Sequence, residues 1–344
     1  MKYKLKISHV IISFLFVISF GFNYLNYQSN NELRLSVKHV DERITLSFIE
    51  KNFTKNPHNF LHKVVAKETL RKYSYVLNKP DYVKKTKNPY PNKIWIFWNN
   101  GFKNAPDLVH VCLNSIKKHL PEKEVILLDE NNIGDYIKIP QYILEKYKKG
   151  IICPAHFSDI VRVYLLRDYG GLWMDATIFL SGKLPKDILN ADFFAPSLCD
   201  INPKKHKDFQ FKNLVLPGAF CNHFMYAANP HNYIFECMAR FLNEYWKDKD
   251  WADYFLFYEF TAIALEEDKK FFNILLETFK NHYYAEKPFL NLNSVIDIDE
   301  QFDETVWNKI KEFPIHKICN AGSWKKRKIK EGSFAEKLLS GKLD

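Results

Sequence analysis

Between residues 93 and 132 the chain reads as a strand, an amphipathic helix and a second strand: KIWIFW (93–98), PDLVHVCLNSIKKHLP (106–121) and EVILLDENN (124–132). A strand that returns through one helix to a neighbouring strand crosses over right-handedly and pairs in parallel, so these forty residues commit the chain to an α/β sheet. In such sheets ligands lie beyond the carboxyl ends of the strands. Trp98, Asp129 and, from a later strand, Asp175 mark those ends and are the first places to look for a site.

The later strand belongs to HFSDIVRVYLLRDYGGLWMDATIF (156–179), which reads as a helix over 154–169, a Gly-Gly break and a strand over 172–179. Positions 157, 160, 161, 163, 164, 165 and 166 are apolar or aromatic, so the helix must be covered on most of its circumference. Asp159 and Arg162, three apart, share what polar face remains. As an exposed pair they would contribute only ~0.2–0.5 kcal/mol, whereas burying two charges costs several, so stabilisation alone explains them poorly. The competing reading is a buried pair that fixes a helix end. Gly170 and Gly171 stop the helix and turn the chain into the strand, where alternation puts Asp175 and Thr177 on one face. A carboxylate at a strand end suits a hard cation such as Mg²⁺ or Mn²⁺.

A further helix is expected at 141–149 and a mainly helical tract from 231 to 281, with no internal repeat. With 344 residues, 47% hydrophobic and 16% aromatic, the chain can bury a large core, which argues for one main domain of ~200–250 residues with appendages. Residues 1–6 are basic, and Ile7 to Leu25 form an apolar run that ends in FNYLNY (22–27), which reads as an uncleaved single-pass membrane anchor. A cleaved signal peptide is the alternative, but no small-residue cleavage site follows. Lysines 2, 4 and 6 face Arg34, Lys38 and Arg43 across the run, so orientation stays open. Residues 26–91 read as a helical stalk or collar broken at Asn56-Pro57, and 331–344 as a C-terminal helix or tail. Six scattered cysteines with no CxxC pair indicate neither a zinc site nor a disulfide framework. The net charge of +10 is spread along the chain, with one dense run, WKKRKIK (324–330), and nucleic acid is not an expected partner.

Ser158-Asp159-Ile160-Val161-Arg162, followed by Tyr169-Gly170-Gly171-Leu172-Trp173-Met174-Asp175-Ala176-Thr177, resembles the core signature of the capsular polysaccharide synthesis glycosyltransferases. It is similar also to the DxD-motif sugar transferases, which include yeast-type mannosyltransferases and the catalytic domains of glucosylating toxins. NHFMYA (222–227) and YFLFYEF (254–260) look like the capsule branch, and the resemblance covers roughly 92–330.

The resemblance implies a GT-A-type nucleotide-sugar transferase domain; the anchor and stalk lie outside the resemblance, and the domain they carry is expected to be cytoplasmic if the source is bacterial. It implies transfer from a UDP- or GDP-sugar to a surface glycan or lipid-linked glycan of capsule or lipopolysaccharide, with retention of configuration. By position, Trp98 matches the aromatic that stacks on the base, and Asp159 and Arg162 the pair that binds ribose and sugar hydroxyls. Asp175 matches the first DxD aspartate, addressing ribose and metal. Thr177 stands in the second aspartate's place, so Mn²⁺ or Mg²⁺ is expected to bind weakly. Gly170, Gly171 and Asn222 complete the expected donor site. Apart from the resemblance, the basic tail is expected to compensate: Trp324, Lys325 and Lys326, or His316 and Lys317, would fold over the diphosphate and bring the tail's positive charge to it. Two other readings stay open: a glycosyl-phosphate transferase of capsule assembly, and a catalytically silent glycan-binding scaffold.

Overall fold

The computed structural model describes residues 70–78, 92–197, 199–201, 209–211, 218–281, 297–318 and 328–343. The expected anchor at 7–25 and the stalk up to residue 69 lie outside them, as do Trp324, Lys325 and Lys326. Among the described residues no helix is long and apolar enough to cross a membrane.

Strand β1 (Lys93–Phe97), helix α1 (Asp107–His119) and strand β2 (Glu124–Leu128) form the expected crossover, and β1 pairs with β2 in parallel from Lys93↔Glu124 to Phe97↔Leu128. Helix α1 begins after Pro106, carries Asp107 in its first turn and Lys117, Lys118 and His119 in its last, a charge order that complements the helix dipole. After β2 the acidic, polar residues form a loop, as their composition suggests: the Asp129 carboxylate accepts from the backbone N–H groups of Asn131 and Asn132, closing a tight turn on itself.

Helices α2 (Gln141–Lys148) and α3 (Pro154–Asp168) follow, and then β3 (Gly171–Met174), which is parallel to β1. The expected strand over 172–179 is in fact two. Ile178 N–H donates to the Asp175 carbonyl, turning the chain out of the main sheet, and β4 (Ile178–Leu180) pairs elsewhere. Alternation along one strand therefore does not bring Asp175 and Thr177 together; a turn does.

Helix α4 (Lys186–Asn190), strand β5 (Phe193–Phe194), a hairpin of β6 (Cys199–Ile201) with β7 (Phe209–Phe211), and β8 (Phe224–Ala227) come next. The main sheet has the order β2-β1-β3-β8-β5, with β8 antiparallel to both neighbours. The carboxyl ends of β1, β2 and β3 and the start of β8 thus share one edge. Helices α5 (Tyr233–Asp248), α6 (Leu256–Glu267) and α7 (Lys269–Asn281) fulfil the expected helical tract. Trp95, Trp173, Trp246 and Phe241 are all at most 1% exposed in the core between sheet and helices. Each such side chain contributes ~1.5–3 kcal/mol.

The chain closes with α8 (Glu304–Ile310), β9 (Ile315–Lys317) and α9 (Phe334–Leu339). Strand β9 pairs antiparallel with β4, setting Lys317 opposite Ile178 and His316 opposite Phe179. A second apolar cluster of Leu108, Cys112, Phe179, Trp307, Ile318, Phe334 and Leu338 welds this region to the back of α1. One compact unit runs from Leu70 to Asp344. Residues 70–78 of the expected stalk, whose remaining residues lie outside the described ones, therefore pack with the main domain, with a 3-10 turn (Arg71–Val76) that buries Tyr73 and Val76, and so does the expected tail. Of the six cysteines, 112, 153, 221 and 237 are free thiols.

His316, 3% exposed, meets the Ser181 hydroxyl at 2.8 Å, and burial pushes its imidazole down to about 4. In the unfolded chain a histidine titrates near its ordinary value of ~6.5. Between those values the unfolded state binds the proton that the folded state refuses, so this contribution to stability is present at neutral pH and lost as pH falls from ~6.5 toward 4, by up to ~1.4 kcal/mol per pH unit. The melting temperature should drop over that window, and His316→Gln should flatten the drop. Equal slopes for both proteins would contradict this.

Candidate functional site

Helix α3 is buried along nearly its whole length, and Asp159 and Arg162 are buried within it at 6% and 5% exposure. The charges come together as the sequence spacing suggests, with Arg162 Nη1 3.0 Å from Asp159 Oδ1. They are not alone. Arg162 donates from Nε to the Ser158 carbonyl at 3.2 Å, from Nη1 to the Asn222 carbonyl at 3.1 Å and from Nη2 to the Ser158 hydroxyl at 2.8 Å. Its Nη2 lies 3.4 Å from Asp175 Oδ1, and its guanidinium carbon 5.0 Å from the centre of the Trp173 ring. Every nitrogen of the fork is engaged by protein. Arg162 is therefore a positioning residue, holding two carboxylates, a helix and the start of β8 in one arrangement.

Asp159 Oδ1 also accepts from Asn222 Nδ2 at 2.9 Å, and Asn222 Oδ1 accepts from the Tyr258 hydroxyl. Asn222 is thus committed to orienting Asp159. Asp159 Oδ2 has no hydrogen-bond partner among the described residues and is the acceptor the site leaves open. Burial raises the Asp159 carboxyl above its usual value, against the opposing pull of Arg162.

Asp175 sits where β3 ends. Its backbone N–H donates to the His223 carbonyl at 2.9 Å, tying it to the start of β8. Trp173 Nε1 donates to Asp175 Oδ1 at 2.9 Å, and Lys317 Nζ donates to Asp175 Oδ2 at 2.8 Å and to Thr177 Oγ1 at 2.8 Å. Burial alone would raise this carboxyl, but Lys317 and then Arg162 override it and hold the group ionised, well below the usual carboxylate range.

Asp175 and Thr177, the expected metal ligands, do not fit a divalent cation. Both carboxylate oxygens already accept hydrogen bonds, Thr177 offers no anionic oxygen, and an ammonium lies between the two side chains. Among the described residues no group of three His, Cys, Asp or Glu side chains could hold a metal ion.

The remaining expected residues divide by position. Trp95 is fully buried, whereas Trp98 follows β1 at the carboxyl edge and is half-buried, its backbone N–H donating to the Leu128 carbonyl at 2.9 Å. Gly170 and Gly171 lie at the opposite end of β3 from Asp175, Gly171 about 13 Å away at ~3.3 Å per residue and Gly170 one residue further. Both have left-handed φ, +67° and +96°, and a Cβ would meet the Ala227 carbonyl at 2.8 Å and the Lys93 carbonyl at 2.8 Å respectively. The Gly170 carbonyl accepts from Trp95 Nε1 at 2.8 Å. The glycines shape the approach of β3 to its neighbours and do not line the site, a correction to their expected place among the donor contacts. His156, at the start of α3, meets Cys153 Sγ locally and the Asp253 carbonyl across the fold.

Sequence reasoning missed Ser158, Trp173, Tyr258 and His223 as members of this cluster. Ser158 was findable, since it stands one helical turn before Arg162. Tyr258 joins only through the tertiary approach of α6 to the start of β8.

Residues 45–338 match the family described as "Capsular polysaccharide synthesis protein". Among curated proteins, the O-glycosyltransferase braB of Annulohypoxylon truncatum is 33% identical over 96 residues, spanning 25% of this chain and 23% of that protein's length. Among solved structures, the PaToxG glycosyltransferase is similar at 16% identity, over 73% of this chain and 94% of that one, with a TM-score of 0.33.

Proposed function

The chain belongs to the capsular polysaccharide synthesis protein family, and from that premise we propose that it is a GT-A-type glycosyltransferase, moving a sugar from a nucleoside diphosphate donor to a surface glycan. One observation carries this reading. At the carboxyl edge of a parallel-rich sheet, two carboxyl side chains, Asp159 and Asp175, are held in a fixed relation by one saturated guanidinium, and the contacts of Asp159 with the described residues fall on Oδ1, which leaves Oδ2 toward a ligand. A carboxylate oxygen with its partner oxygen already satisfied is a directional acceptor for a ribose or sugar hydroxyl. Trp98 at the mouth of β1 supplies a flat apolar face for the base. The donor is a UDP- or GDP-sugar, and the acceptor a glycan or lipid-linked glycan of capsule or lipopolysaccharide, met at the membrane to which residues 7–25 would tether the enzyme.

The cluster supplies binding groups and fixed charge, and no free carboxylate opposite another. That favours a retaining transfer, in which the acceptor hydroxyl attacks from the face the diphosphate leaves. Catalysis then consists of holding both reactants and stabilising charge on the leaving group.

The test is a panel of UDP- and GDP-sugars incubated with the purified protein, with the released nucleotide identified by chromatography. Release of UDP or GDP is expected from one donor. Release of UMP or GMP would instead indicate a glycosyl-phosphate transferase, and no release from any donor would indicate a glycan-binding scaffold.

A further inference from the structure

We infer that Lys317 takes the place of the divalent cation at this site, so that sugar transfer here runs on the charge of an ammonium with no bound metal. The inference rests on the transferase reading above and adds to it the identity of the group that meets the diphosphate.

Four observations on the cluster agree. First, Lys317 Nζ lies 2.8 Å from both Asp175 Oδ2 and Thr177 Oγ1, the corner a cation held by this pair would have to fill. Second, both oxygens of Asp175 are already engaged, Oδ1 by Trp173 Nε1 with Arg162 alongside and Oδ2 by Lys317 Nζ. Third, the charges balance as they stand. Two carboxylates and a dication sum to zero, and so do one carboxylate and one ammonium. The exchange of aspartate for Thr177 and of a dication for Lys317 therefore leaves the local field where it was, whereas a dication added beside Lys317 and Arg162 would meet two cations. Fourth, the placement is built in. The β4–β9 register and the Ile318 N–H bond to the Thr177 carbonyl, 3.0 Å, fix which face Lys317 occupies, and a slip of one residue would turn it away.

An ammonium has three N–H donors, and two are spent on Asp175 and Thr177. The third is available to a phosphate oxygen. In the transfer, the bond between the anomeric carbon and the β-phosphate oxygen breaks with its electron pair going to that oxygen. The acceptor oxygen bonds to the same carbon, and its proton passes to a phosphate oxygen. Lys317 stays protonated throughout, donating a charge-assisted hydrogen bond to the oxygens on which negative charge collects.

The test is calorimetric titration of UDP and of GDP into the full chain, in EDTA and in Mn²⁺, with Mn²⁺ uptake by the protein alone followed by electron paramagnetic resonance. Equal nucleotide affinity in EDTA and Mn²⁺, and no Mn²⁺ uptake, are expected. Lys317→Met should weaken binding at least ~10-fold in either buffer, the loss of one hydrogen bond to a charged group, while Lys317→Arg retains most of it. The double variant Lys317→Met/Thr177→Asp should take up Mn²⁺ and bind nucleotide only with it, a gain that misfolding does not imitate. Nucleotide binding by the unaltered chain only in Mn²⁺ would overturn the inference, as would Lys317→Met with unchanged affinity in EDTA. Failure of both nucleotides to bind in either buffer would instead overturn the transferase reading itself.

Discussion

Asp175→Asn is expected to lower sugar turnover at least ~100-fold, the scale set by removing one preorganised electrostatic contact from an active site. The reason is a matter of donors and acceptors. Both oxygens of Asp175 accept: Oδ1 from Trp173 and Oδ2 from Lys317, with Arg162 alongside Oδ1. An asparagine has one oxygen and one NH₂ group, so in either orientation a donor faces a donor. If the amide oxygen stays with Lys317, the indole and guanidinium lose their acceptor. If it turns to Trp173, the ammonium loses its anchor and no longer points at the diphosphate. In both cases Lys317 is left near Arg162 without the anion that had offset its charge, so the melting temperature should fall as well. Initial rates of nucleoside diphosphate release, normalised to folded protein, measure the effect. A variant within a few-fold of the unaltered enzyme would remove Asp175 from the site.

The parts of this site that were legible in the sequence are those fixed by local rules. The strand-helix-strand of 93–128 carried its topology in its periodicity, and Asp159 and Arg162 announced themselves as charges on a helix with no exposed face to spare. The Gly170-Gly171 break was legible as a turn, but its part among the donor contacts was not sustained. The start of β3 approaches the backbone of β1 and β8 closely enough there that only hydrogen atoms fit, at the far end of β3 from the site. The break between β3 and β4 was hidden because LWM and IFL keep an apolar pattern on both sides of Asp-Ala-Thr, and nothing local says that the second half leaves the sheet. Lys317 could be named from the sequence as one of several basic residues available to a diphosphate. Its contact with Asp175 spans 142 positions and depends on the β4–β9 pairing, which no window of sequence contains. The same holds for Asn222, which the motif suggests as a ligand contact and tertiary structure assigns to orienting Asp159.

Asp159→Asn carries the second large effect. The substitution keeps the shape of the side chain and an oxygen able to accept from Asn222, but it removes the negative charge and turns an NH₂ group toward Arg162 or toward the open side where Oδ2 now lies. A hydrogen bond to a charged acceptor contributes ~1.5–3 kcal/mol, so donor affinity should fall ~10- to 100-fold. Melting should shift too, since Arg162 then leans on Asp175 alone. The two effects separate cleanly when binding is measured well below the melting temperature of either protein, where every molecule is folded. The direct measurement is therefore calorimetric titration of the intact nucleotide sugar that the unaltered enzyme turns over, into that enzyme and into Asp159→Asn at the same low temperature. A donor dissociation constant raised at least ~10-fold in the variant is the predicted result. An unchanged dissociation constant with only a lowered melting temperature would contradict it, and would return Asp159 and Arg162 to the role of a buried pair that holds a helix in place.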